Sequence, residues 1–326
     1  MNRLKIYTLL VIAGFLIVSC QKDIVFNGRV TTPLLVVNSF ITPDSVISAH
    51  ISESQFFMSS QQTFNLIDNA TITLYVNGIE KEKMTHTTDG QYFAAYKPVM
   101  GDSIRYRVVA PGKSDVSCAT AIEPQTTILS LDTASTPTGS TTPVIDYQSK
   151  DGSVPTYDTI GYVTGRRLKF VLNFTDNANK QNFYRLVVIT KTTTTYGEQS
   201  DYSFSFDDLV SGNTNKDALG FSTSFSTNSY NVFTDDLFNG EHYPLTFSIT
   251  NDKYVFSPGY EQPTPQVEVT VNLQSISKSY YYYLKSRAVS GENSFFSEPV
   301  QVYNNVVGGI GILGSYTSHA MKINLK

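Results

Sequence analysis

The stretch Val267-Glu268-Val269-Thr270-Val271-Asn272-Leu273 alternates apolar and polar side chains with a period of two, and that period recurs along most of the 326 residues. A period of two sends successive side chains to opposite faces of a strand, whereas a helix needs 3.6. In the first half, Ile72, Leu74 and Val76 alternate with Thr71, Thr73 and Tyr75, and Asn77-Gly78 follows as a hairpin turn. Arg105-Tyr106-Arg107-Val108 alternates after a Gly101-Asp102 turn signal, and Leu34 to Ile41, Ile47 to Phe56 and Gln91 to Tyr96 complete a set of short strands. The second half resumes with Phe170, Leu172 and Phe174, then Tyr184, Leu186 and Val188, then Leu245, Phe247 and Ile249. Only 16% of the chain is charged, against about 25% in an average soluble protein, while 21 Tyr and 20 Phe suit pleated, half-buried surfaces.

Turns every 8–12 residues predict antiparallel β-sandwiches, immunoglobulin-like or fibronectin-like, and the length predicts two of them. The first is expected over 33–125 and the second over 166–326, with an insertion near 196–240 rich in Ser, Asn, Asp and Phe. Between them 126–165 reads as a linker or long loop, because Thr133 to Thr142, Pro137, Pro143 and Pro155 offer few apolar anchors. One short helix is predicted near 277–288, where Ile276, Tyr280, Leu284 and Ala288 recur at spacings of four and Ser277 can cap the start. The run Tyr280 to Tyr283 then spreads around that helix, two rings in the core and two outside, core packing being favoured over a stacking platform for ligand.

The N-terminus bears on address. Arg3 and Lys5 precede the apolar, uncharged Ile6 to Val18, thirteen residues by count, as in a secretory signal. That is shorter than the roughly 20 residues of a spanning helix. Ile17-Val18-Ser19-Cys20 resembles a bacterial lipobox, in which the thiol of Cys20 takes the lipid and becomes the first mature residue. Residues 1–19 are thus expected to be a lipoprotein signal peptide and 20–32 a lipidated tether. Gln21, Lys22 and Asp23 resemble the short charged signal that sends some lipoproteins to the outer face of the outer membrane. Removing Arg3 and Lys5 turns 24 Lys+Arg against 28 Asp+Glu into 22 against 28, so the net charge goes from −4 to −6. With no basic stripe, no nucleic-acid partner is expected. Cys118 is the one thiol left, so no internal disulfide can form, and it reads as a small apolar strand residue.

A family resemblance covers residues 20 to 326. It is carried by Phe295-Phe296-Ser297-Glu298-Pro299-Val300-Gln301-Val302-Tyr303-Asn304-Asn305 and by Gly308-Gly309-Ile310-Gly311-Ile312-Leu313-Gly314-Ser315-Tyr316. Leu35-Val36-Val37-Asn38, Phe233-Thr234-Asp235-Asp236-Leu237-Phe238-Asn239-Gly240 and Tyr281-Tyr282-Tyr283-Leu284-Lys285-Ser286 add to it. These stretches resemble the lipoprotein family catalogued as domain of unknown function 4249. The resemblance implies an envelope lipoprotein, often encoded beside a TonB-dependent outer-membrane receptor, and it brings no catalytic residues.

Motifs that could carry chemistry are outweighed by structural readings. Gly309-x-Gly311-x-x-Gly314 spells a dinucleotide fingerprint, but the chain has only twelve further residues and no acidic residue follows. Its glycines are expected to supply positive φ or close backbone approach. Ser275-Ile276-Ser277-Lys278 has the spacing of Ser/Lys acyl enzymes without their accompanying elements, and a strand-to-helix turn explains it. His50, His86, His242 and His319 form no metal-ligand spacing. Asp207-Asp208, Asp235-Asp236 and Asp176-x-x-Asn179 could offer oxygens to calcium, but turn chemistry accounts for them equally well. No cofactor is expected. An outer-membrane barrel would also show short aromatic strands, but a lipid anchor would be redundant on one. The expectation is a non-catalytic, lipid-anchored surface protein of the outer membrane, an accessory binding component of a TonB-dependent uptake system. The alternative is an envelope-structural or adhesive protein, with a hydrolase the least favoured.

Overall fold

In the computed structural model the described residues are 32–56, 63–148, 156–178, 180–194, 197–207, 210, 230–259, 265–291 and 301–325. Cys20, Gln21, Lys22 and Asp23 lie outside them. In chain order the N-terminal half supplies β1 (Leu35–Ile41), β2 (Ser48–Glu53), β3 (Thr71–Val76), β4 (Ile79–Lys83), β5 (Thr85–His86), β6 (Gln91–Phe93), β7 (Ser103–Val109) and β8 (Val116–Ala121). Then come β9 (Ile128–Gln148), β10 (Thr156–Thr175), β11 (Phe183–Thr194), β12 (Gly197–Asp201), β13 (Ser205–Phe206), β14 (Val232–Thr234), β15 (His242–Phe256) and β16 (Gln266–Ile276). Helix α1 (Lys278–Gly291), β17 (Val306–Val307) and β18 (Ile310–Leu325) close the chain. Among the described residues the chain is mainly β with one helix, as the sequence pattern predicts.

A nine-stranded sheet, ordered β12-β11-β16-β18-β1-β2-β6-β5 with β14 beside β11, runs through both halves. A five-stranded sheet, β17-β8-β7-β3-β4, covers one half of it and a four-stranded sheet, β13-β15-β10-β9, the other. Between the first pair lies a core of Leu35, Val37, Ile51, Ile72, Leu74, Tyr106 and their neighbours. Between the second lie Phe170, Leu172, Phe174, Leu186, Phe247, Val269, Val271 and Leu273. The alternation is visible in β7 and in β16 up to Leu273, where every second residue is buried; beyond it Gln274, Ser275 and Ile276 are buried on both faces. Asn77 and Gly78 both have positive φ, 53° and 83°, so the predicted hairpin turn joins β3 to β4.

The expected division at 126–165 fails in two ways. Residues 128–148 and 156–175 are long paired strands, registered from Thr156↔Gln148 to Phe174↔Ile128. Thr is β-prone, and Pro137 and Pro143 sit on β9, an edge strand, the place in a sheet where proline is tolerated. Nor do residues 33–125 close their own sandwich, because Val306 and Leu313 are part of its core. Of the 196–240 insertion, the described parts add β12 and β14 to β11 and β13 to β15.

The shared element is β18. Its first part, Ile310 to Ser315, pairs in parallel with β1, and from Tyr316 to Leu325 it pairs antiparallel with β16 on its other edge. Each edge left open at this hand-over is filled by side chains. Asn305 mimics a strand backbone: its Oδ1 accepts the Leu313 N–H and its Nδ2 donates to the Leu313 carbonyl, both at 2.9 Å. Ser277 Oγ accepts the Ser315 N–H at 3.1 Å, while the Ser277 N–H donates to the Ser315 carbonyl at 2.9 Å. On the other edge Gln125 donates to the Ser318 carbonyl and His319 Nδ1 accepts the Ile128 N–H.

Backbone crowding explains the glycine motif. Gly311 has φ +125°, and a Cβ there would lie 2.0 Å from the Val37 carbonyl oxygen; at Gly314 it would lie 3.0 Å from the Tyr280 Cβ. The motif therefore lets β18 lie against β1 and α1. Gly311→Ala should cost about 3 kcal/mol or more, since left-handed strain adds to a backbone clash, lowering Tm by roughly 6–12 °C in a chain of this size. Gly78→Ala, with positive φ but open space around it, should cost only about 1 kcal/mol. Calorimetry on the two variants checks the contrast.

Candidate functional site

Three places concentrate side chains beyond what packing alone requires. The first is the helix at the joint. Ser277 caps it, its carbonyl accepting the Tyr281 N–H at 3.0 Å and its Oγ the Tyr280 N–H at 3.4 Å. Tyr280, Tyr281 and Tyr282 are all buried, and only Tyr283 is partly exposed. This corrects the expectation of two rings in and two out. The helix is covered on two sides: Phe40 lies 4.9 Å from Tyr280, Phe183 lies 4.9 Å from Tyr281, and Tyr303 lies 5.7 Å from Tyr282. Arg185 reaches the Tyr280 hydroxyl at 3.3 Å. Ser275 Oγ donates to Thr126 Oγ1 at 3.0 Å and accepts the Thr126 N–H at 3.2 Å, so the Ser-x-x-Lys serine ties β16 to the chain entering β9. Lys278 lies over the Tyr282 ring at 5.9 Å.

The second is an acidic corner on the chain from β10 to β11. Two of the calcium candidates, Asp176 and Asp235, come together here, both buried. Asp176 Oδ2 accepts the Gly240 N–H at 2.8 Å and its Oδ1 the Tyr184 hydroxyl; Asp235 Oδ2 accepts the Asn182 N–H at 2.8 Å. Each carboxylate is thus spent on closing a turn, and Tyr184, bound to Asp176, packs in one ring cluster with Phe174, Phe233 and Phe238. Asp236 is bound to Thr234 and Gln181, and Asp207 pairs with Arg167. Among the described residues no three His, Cys, Asp or Glu side chains gather as a metal site. His86 pairs with Asp68 at 3.0 Å, on a different part of the fold from His319. Cys118 is buried in β8, and burial pushes its thiol up to about 12, in keeping with a strand-packing residue.

The third is an arm that sequence reasoning missed. Core packing on β10 and β15 ends at Leu168 and Ile249, yet β10 runs back to Thr156, twelve residues further, or about 40 Å at 3.3 Å per residue. Strands β9, β10 and β15 pair along this extension. Its inner face first turns polar, with Arg166 opposite Asn251 and Thr164 opposite Lys253, and then apolar again at Pro143, Tyr162 and Val255, which share one row across the strands. Val255 is 55% exposed, and Tyr157, nearer the tip, 66%. On the other face Tyr254 and Phe256 stack, the Phe256 ring lying 3.0 Å from where a Cβ of Gly161 would stand. The overlooked signal was Tyr157, Ile160 and Tyr162 set among β-prone threonines.

Such a surface can bind by stacking and apolar burial, aromatic rings with a polar edge being suited to interfaces. The acidic corner has a testable electrostatic consequence. Burial, then the charges of Asp176 and Asp236, hold the Asp235 carboxyl above the ordinary carboxylate range despite the Asn182 N–H. A carboxyl raised by folding binds its proton more tightly in the native state, so its contribution to stability is lost as pH rises above the usual carboxylate range. Asp235→Asn keeps an acceptor for Asn182 and removes the charge. Its Tm relative to the unaltered chain should therefore rise between pH 4 and pH 7, as thermal melts across that range would show.

Comparison with known proteins adds the family. No curated protein matches the chain. One solved structure, of a protein from Corynebacterium diphtheriae, aligns with a TM-score of 0.21 at 9% identity, over 75% of this chain and 55% of that one. The chain thus spans little more than half of that protein, and a likeness so low carries no argument. Among the described residues no helix is long and apolar enough to cross a membrane. The family model described as domain of unknown function DUF4249 matches residues 21–321, and the chain belongs to that family.

Proposed function

We propose that the protein is a surface-exposed, lipid-anchored outer-membrane lipoprotein without catalytic activity, which binds a partner or ligand as an accessory of a TonB-dependent nutrient-uptake receptor. The observation that carries this reading is the axial layout. Strand β1 begins beside the start of β18, because Val36 pairs with Ile310. Strand β18 then runs along both sandwiches, sixteen residues or about 50 Å. The aromatic arm projects beyond its far end. A tether lipidated at Cys20 would join the fold at the start of β1, at one end, with the exposed rings at the other, up to about 90 Å away along the strands.

An envelope-structural or adhesive role is the second reading, favoured by the continuous nine-stranded sheet, which makes a stiff spacer. Palmitate labelling should mark the chain and be lost in Cys20→Ala, and protease treatment of intact cells should remove the protein. Purification of the lipidated chain should recover a receptor, and a variant with Tyr157, Tyr162 and Val255 changed to Ser should lose it while keeping the parent Tm. Protection from external protease contradicts surface exposure. Receptor recovery unaffected by the three substitutions moves binding away from the arm, and no receptor at all favours the structural role.

A further inference from the structure

We propose that the end of the N-terminal sandwich from which the tether leaves is a membrane-contacting foot, formed by Leu34, Val307 and Ile310, and that its occupant is the lipid bilayer. The inference rests on the reading of Cys20 as lipidated and adds a surface to it. The start of β1 is fixed in place: the Leu34 N–H donates to Ser54 Oγ at 2.9 Å, the Ser54 N–H donates to the Leu34 carbonyl at 2.8 Å, and Lys113 Nζ donates to the Pro33 carbonyl at 3.3 Å. The tether thus departs from one defined point.

Three aliphatic side chains surround that point. Leu34 is 42% exposed and stands on the outer face of the nine-stranded sheet, two residues before Val36. Ile310, 40% exposed, pairs with Val36 and shares that face. Val307, 73% exposed, pairs with Ser117 at the edge of the five-stranded sheet, and the turn through Gly308 and Gly309 carries the chain across to Ile310. Two cations at this end are matched: Lys113 with Glu53 at 2.8 Å and Arg107 with Asp115 at 2.7 Å. This end accordingly presents aliphatic surface with little net charge to set against a bilayer.

Three residues are too few to hold a free protein on a membrane, and here they do not have to. Gln21 to Thr32 is twelve residues, at most about 40 Å when extended, so a lipid on Cys20 keeps this end within reach of the bilayer and contact becomes an intramolecular step. The same sandwich has an internal control. Ile79 is as exposed as Val307 but opens β4 beside Val76, at the end of β3 away from the Thr71↔Val109 pair that borders the β7–β8 turn holding Lys113.

The test uses the full lipidated chain in phosphatidylethanolamine–phosphatidylglycerol vesicles carrying a nitroxide-labelled lipid, with a fluorophore on Val307→Cys or on Ile79→Cys. Buried Cys118 serves as the unlabelled background. The Val307 probe should be quenched severalfold more than the Ile79 probe, and Leu34→Ser with Ile310→Ser should bring it down to the Ile79 level. Equal quenching at the two positions on a chain whose Cys20 carries lipid by mass spectrometry overturns the foot and leaves the anchor standing. A Cys20 without lipid overturns both. Binding of the unlipidated chain to the same vesicles would contradict the dependence on the tether.

Discussion

Everything in this molecule depends on one strand changing partners. β18 lies beside β1 until Ser315 and beside β16 from Tyr316, so the last strand of the chain completes the first sandwich and the second alike. The switch leaves backbone groups exposed on one edge and then on the other, and buried backbone groups without partners are costly. Asn305, Ser277 and Gln125 take them up, while the His319 side chain on β18 accepts the Ile128 N–H where β9 starts. The buried hydroxyls of Ser315 and Thr120, 3.4 Å apart, fill the space between. The conformational demands of the closing glycine segment follow from the same arrangement, because only a residue without Cβ lets β18 approach Val37 so closely.

Polar groups elsewhere serve the same economy of backbone satisfaction. Asp102 accepts the Val99 N–H, the Tyr96 hydroxyl and the Asn77 amide, and closes the turns at one end of the first sandwich. Burial alone would push that carboxyl up, but those donors outweigh it and hold it below the usual range. Asp176 and Asp235 do comparable work at the corner between β10 and β11, where Asp235 has the nearer like charges and goes the other way. Both arrangements consume their carboxylates in structure. Among the described residues, exposed side chains stand at both ends of the fold: aliphatic near the tether, aromatic on the arm.

Much of this was legible in the sequence. Strands with alternation, such as β7 and the first eight residues of β16, show because one face is buried and the other is not. The Asn77-Gly78 turn shows because only residues tolerating positive φ fit there. The helix shows through Ser277 and its four-residue spacing, but its ring orientations do not, since both sides are covered by distant segments. The arm was hidden because an edge strand tolerates proline, and because threonine-rich strands outside a core lack the apolar alternation that marks a buried face. The partner change of β18 was hidden as well, since nothing local in Ile310 to Leu325 distinguishes one neighbour from two.

A rod welded by β18 differs from two sandwiches on a flexible joint in one measurable distance. Tyr202 follows Asp201, which pairs with Thr190; Thr190 pairs with Val269, and Val269 with Ile323. Ile323 lies thirteen residues beyond Ile310 on β18, so spin labels on Val307→Cys and Tyr202→Cys should sit about 45 Å apart, from 3.3 Å per residue along the strand and 4.8 Å per neighbouring strand. Pulsed electron–electron double resonance should give one narrow distribution near that separation. A distribution spread over tens of ångströms would contradict the shared strand as the element that makes the two halves one body.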